Sequence, residues 1–135
     1  MITSSITYLG DLRTEATHKA SGKQIITDAP IDNMGKGQAF SPTDLLATSL
    51  GNCMLTLMGI AANARNININ QTRVDVTKIM AIEPRKVAEV KVEIFFAGDK
   101  LSETMQQILK RAALSCPVAL SLHPDLKQTI AFNFQ

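Results

Sequence analysis

The sequence has no tryptophan and one tyrosine, and its 14 Lys and Arg residues against 12 Asp and Glu leave a net charge of only +2. With few aromatic platforms for bases and no cluster of cations for phosphates, nucleic-acid binding has no positive support. Cysteine is scarce as well, at two in 135 residues. Neither Cys53 nor Cys116 has a second Cys or a His at ligand spacing, which argues against a metal site. His18 and His123 stand alone, the first expected on a strand and the second in a loop. A long unbroken apolar run is also missing. The longest candidate is interrupted by Thr, Ser, Gly and Asn, which predicts no membrane span. Residues Met1 to Asp11 carry neither a charged n-region nor a continuous apolar h-region. No signal peptide is expected, and a cytoplasmic location with reduced thiols is the default.

What is present is an ordinary globular composition, 45% apolar and 19% charged, in a chain long enough for one domain spanning residues 1–135. The pattern centres on Phe40 to Asn63. Ser41 suits an N-cap, Pro42 the first helical position, and Asp44 the first turn, where the helix dipole favours a negative charge. Leu46, Leu50, Cys53, Leu57 and Ala61 form one stripe. Leu45, Met54, Met58 and Ile60 fill most of the remaining circumference, which predicts a helix buried on several sides.

Around it the chain reads as short elements. Strands are expected over Ser4–Leu9, Leu12–Lys19 and Gln24–Asp28, then an irregular loop from Ala29 to Ala39. After the helix, Thr72–Ile82 and Ala88–Phe96 read as an antiparallel hairpin turned at Glu83-Pro84-Arg85. A second helix from about Ser102 is interrupted at Ser115-Cys116-Pro117. A short third helical segment, Val118–Leu122, precedes a final strand over Lys127–Phe134. The order βββ–α–ββ–αα–β is that of an α+β chain with largely antiparallel strands.

Two readings stay open for each cysteine. Cys53 is either a small core residue or a reactive thiol activated from elsewhere, because it lies too far from its helix start for the dipole to act. Cys116, beside a helix start, is either a buried helix-break residue or a thiol favoured as thiolate by unpaired N–H groups. Asp44 reads most simply as a dipole-favoured charge, and Arg13 and Lys23 as solvated strand and turn residues.

The combination of Ser-Pro-x-Asp-Leu-Leu opening the helix, Leu-Gly-Asn-Cys within it and a later Ser-Cys-Pro-Val resembles the OsmC/Ohr family, on its OsmC-like branch. The resemblance implies an intertwined homodimer in which antiparallel sheets wrap long central helices, with active sites at the subunit interface. It implies a cysteine-based peroxidase acting on small organic hydroperoxides, with Cys53 as the peroxidatic thiol and Cys116 as the resolving one. A dithiol reductant, of lipoyl type in some members, would restore the pair, with no metal or organic cofactor. For the groups that stabilise the thiolate, the chain offers Arg13, Lys23 and Asp44. Met54 and Leu57 are expected to make the peroxide pocket apolar. The alternative is the same fold binding a small apolar or electrophilic ligand, or sensing redox state.

Overall fold

Alternating residues punctuated by tight turns open the chain as three strands. In the computed structural model, which describes residues 1–135, these are β1 (Ser4–Gly10), β2 (Arg13–His18) and β3 (Gln24–Asp28). They pair antiparallel in the order β1-β2-β3. The β1–β2 turn places Gly10, Asp11 and Leu12 in the left-handed region (φ 87°, 53° and 63°), a conformation that favours glycine at its first position. In the β2–β3 register Arg13 stands opposite Asp28 and Thr14 opposite Thr27. The loop that follows contains one 3₁₀ turn, Ile31–Asn33. The Asp28 amide closes its base on the Phe40 carbonyl at 3.1 Å.

Helix α1 (Pro42–Asn63) starts where the sequence places it. The Ser41 amide donates to Asp44 Oδ2 and the Asp44 amide to Ser41 Oγ, both at 3.0 Å. This reciprocal pair satisfies two of the donors that a helix start leaves orphaned. The helix begins in one compact unit, Met1–Leu46, and continues into a second, Ala47–Gln135.

The second unit holds β4 (Arg73–Ala81), β5 (Lys86–Phe95) and β6 (Lys127–Asn133), paired in that order. Strands β4 and β5 make the expected antiparallel hairpin. Strand β6 departs from expectation, because it runs parallel to β5. The reason is the connection. Helices α2 (Glu103–Leu114) and α3 (Pro117–Ser121) lie between the two strands, and a crossover of that length can return the chain to start in the same direction.

One sheet face, Val90, Val92 and Ile94, is buried with Leu50, Met54 and Met58 of α1 and Leu109 and Ala113 of α2. Burying a side chain of this size contributes roughly 1.5–3 kcal/mol. The buried stripe of α1 is Ala47, Leu50, Gly51, Met54, Met58 and Ala62. It is rotated from the expected one, and within this chain only that side is buried, leaving Leu46 and Ile60 exposed. A helix apolar nearly all round gives no preferred face, so packing decides. The expectation that its polar residues rule out a membrane span is also corrected. By length and composition alone α1 is apolar enough to cross a bilayer, but its buried stripe is committed to the protein core.

Gly51 sets the rotation. A Cβ there would lie 2.9 Å from Val76 Cγ2 and 3.2 Å from Val74 Cγ1, whereas at Gly59 it would meet nothing within 4 Å. Gly51→Val is therefore expected to destabilise by about 1–3 kcal/mol through overpacking. Gly59→Ala, on the same helix, should stabilise by about 0.5–1 kcal/mol. Urea unfolding midpoints of the two variants check both signs.

Candidate active site

The two cysteines come from elements that are distant in sequence and adjacent in the second unit. Cys53 sits midway along α1, partly exposed, packed against the core. Cys116 lies in the break between α2 and α3, fully buried. That break follows from local chemistry. Ser115 ends α2 with its hydroxyl donating to the Ala112 carbonyl at 3.1 Å. Pro117 then starts α3, where a missing N–H costs nothing. Cys116 thereby becomes the N-cap, its Sγ accepting the Ala119 N–H at 3.4 Å.

Both thiols are free, and they lie close enough to interact electrostatically and through a hydrogen bond. Burial pushes the Cys116 thiol up, and Cys53 raises it further as a hydrogen-bond partner and as a negative charge. Backbone N–H groups of Ala119 and Val118 oppose this by favouring the Cys116 thiolate. The environment disfavours a thiolate at Cys116 and sets it against a second charge on its neighbour.

The other residues singled out from sequence fall elsewhere. Asp44 is engaged in the helix cap with Ser41. Lys23 is exposed in the β2–β3 turn, where its backbone N–H donates to Ser21 Oγ at 3.2 Å. Met54, expected to line an apolar pocket, is completely buried in the core, so it cannot line an open cavity; Leu57 is partly buried. His18 ends β2 and His123 lies in a loop, as expected.

Arg13 is held in a way the sequence reading missed. Its Nε donates to Asp28 Oδ1 at 2.7 Å and its Nη2 to Asp28 Oδ2 at 2.9 Å and to Gln38 Oε1 at 3.0 Å. The Gln38 amide also donates to Asp28 Oδ2, at 3.0 Å. The Asp28 side chain is 1% exposed and that of Arg13 31%, so the carboxylate is buried and the cation reaches the surface. The hydrogen bonds from Arg13 hold the Asp28 carboxyl below its ordinary range, against the opposing effect of burial. The same hydrogen bonds, and then the carboxylate's charge, raise Arg13. The signal was present in the sequence. A β2–β3 hairpin turning around Ser21-Gly22 brings Asp28 opposite Arg13.

Fold and thiol pair together define a two-cysteine α+β protein with a long central helix and two three-stranded sheets. The OsmC-like protein family matches residues 35–131, and the chain belongs to that family. It is 54% identical to a Psychrobacter arcticus protein provisionally named as an osmotic stress induced and detoxification response protein, with TM-score 0.95 over 98% of this chain and 96% of that one. The fold is shared with an OsmC-like protein of Mycoplasma pneumoniae at 21% identity, TM-score 0.79, covering 96% and 94%. It is shared also with an organic hydroperoxide resistance protein, OsmC, of Legionella pneumophila at 16% identity, TM-score 0.71, covering 98% of each chain. No curated protein sequence matches the chain.

The Asp28 clamp makes a pH prediction. A carboxyl whose folded pKa is depressed stabilises the fold above its unfolded value of about 3.9, and that stability is lost as pH falls through the folded pKa. Asp28→Asn should therefore be less stable than the parent at neutral pH. The gap in denaturant midpoint should close progressively below about pH 5. A gap unchanged down to acid would show that the clamp does not act through the ionised carboxyl.

Proposed function

We propose that this protein is a cysteine-based peroxidase that reduces organic hydroperoxides at the expense of a dithiol. The observation that carries the proposal is the pairing of Cys53, partly exposed on α1, with the buried Cys116 at the α2–α3 break. Membership of the OsmC-like family supports it. In this reading the Cys53 thiolate attacks the outer peroxide oxygen. The O–O bond breaks, an alcohol leaves with the second oxygen, and Cys53 becomes a sulfenic acid. The Cys116 sulfur displaces the hydroxyl as water and forms the disulfide. A neighbouring thiol at that point keeps Cys53 on the reversible rung of oxidation. The reductant is a small dithiol, with lipoyl groups as candidates.

Arg13 is our candidate for the cation that favours the Cys53 thiolate. Asp28 and Gln38 take three of its five N–H groups, so the guanidinium is fixed with its Nη1 end uncommitted. Lys23 is the alternative cation, without a fork and without a clamp. Asp44 is a weaker candidate, because its carboxylate already serves the helix cap.

We further propose that the working unit is an intertwined homodimer. Ile6, Ala16 and Ile25 lie in one cross-strand row of the first sheet, where Ile6 and Ile25 are 67% and 51% exposed, and Tyr8 is 63% exposed on β1. On α1, Leu46 and Ile60 are exposed away from the buried stripe. Apolar surface of this extent fits burial by a second copy. A monomer in sedimentation equilibrium at micromolar concentration would contradict this.

Turnover of cumene hydroperoxide with dihydrolipoamide tests the chemistry. Cys53→Ser should reduce it to background, and full activity in that variant would remove the nucleophile assignment. Cys116→Ser should complete a first turnover and then lose activity as Cys53 over-oxidises. Arg13→Ala should slow turnover by about tenfold or more, the equivalent of about 1.4 kcal/mol, with Lys23→Ala close to the parent.

A further inference from the structure

The two sulfurs of the proposed disulfide are not equivalent. Cys116 has no exposed surface and Cys53 is partly exposed. A thiolate that cleaves a disulfide must reach one sulfur from the side opposite the other, so access selects which sulfur is attacked. Cys116 belongs to the same core cluster as Leu109, Ala113 and Met54, all fully buried. The Ala119 N–H already points at Cys116 Sγ at 3.4 Å. Gln128 of β6 steadies this donor, its Nε2 donating to the Ala119 carbonyl at 3.0 Å.

We infer that the reductant attacks Cys53 Sγ, forms its mixed disulfide there, and expels Cys116 Sγ toward the Ala119 N–H. The inference rests on the peroxidase reading above and specifies its second half. The reductant's first thiolate forms a bond to Cys53 Sγ, the Cys53–Cys116 bond breaks, and the electron pair passes to Cys116 Sγ. The second thiol of the reductant then ionises, and its proton ends on Cys116. That proton transfer suits a buried sulfur whose surroundings favour the neutral thiol. The second thiolate attacks the reductant's own sulfur in the mixed disulfide, closing a cyclic disulfide and releasing Cys53 as a thiolate ready for peroxide. One disulfide is reduced to two thiols and one dithiol is oxidised. Cys53 in this scheme meets both substrates, and Cys116 meets neither. Any reductant must therefore be small or slender enough to reach a partly covered helix residue.

The test traps the mixed disulfide with a thiol that cannot complete the cycle. The parent protein is oxidised to the intramolecular disulfide with diamide, exposed briefly to glutathione, quenched with acid and capped with N-ethylmaleimide. Peptide mass spectrometry then locates the glutathione adduct. The expected result is an excess of about tenfold or more on Cys53 over Cys116, as access dictates. An adduct found equally on both sulfurs, or mainly on Cys116, would overturn the inference. So would a failure of diamide to join the two thiols. Because diamide replaces peroxide, a protein that is inert to hydroperoxides but maps to Cys53 separates failure of the peroxidase reading from failure of this one.

Discussion

The close approach of α1 to the second sheet is the constraint on which the rest depends. At Gly51 the helix comes so near Val74 and Val76 that even a methyl group would press on them. That contact fixes which side of an otherwise uniformly apolar helix is buried, and so fixes its rotation. With Met54 and Met58 turned into the core, the neighbouring position 53 is left at the margin. There Cys53 keeps some exposure while standing near enough to Cys116 to push its thiol up. One residue's difference in rotation, roughly 100° on a helix, would bury this thiol or carry it away from its partner.

The difference between the two thiols is an electrostatic consequence of that packing. Cys116 is enclosed, disfavoured as a thiolate by burial and by its neighbour, and partly compensated by the N–H groups of α3. Cys53 is the member that solvent can reach. Division of labour between a thiol that meets small molecules and one that stays protected follows from this asymmetry on the proposed reading. The buried Asp28 carboxylate and Gln38 together hold the Arg13 guanidinium in a fixed orientation, which is why Arg13 rather than a surface lysine is our candidate cation on the proposed reading.

Much of this was legible in the sequence. Ser41, Pro42 and Asp44 mark the start of α1, and the capping bonds confirm the local chemistry they encode. Ser102 likewise caps α2, its Oγ accepting the Met105 N–H at 3.3 Å, and Pro117 marks the start of α3. Strand positions followed from alternation and turn residues. The parallel course of β6 was not legible, since direction depends on where two intervening helices deliver the chain. The buried face of α1 was hidden by the uniformity of its own composition. The clamp on Arg13 is hidden because its carboxylate partner lies on the next strand, opposite it only in the hairpin register. The nearness of the thiols came from family resemblance alone, because no spacing rule links residues on separate elements.

The most direct measurement is the intact mass of the protein after one equivalent of cumene hydroperoxide, acid-quenched within seconds. The account predicts a loss of two hydrogens, localised to a Cys53–Cys116 disulfide by peptide mapping, with the alcohol formed in equal amount. A protein whose mass is unchanged, or which gains oxygen at Cys53 without closing the disulfide while Cys116 stays a free thiol, would contradict it.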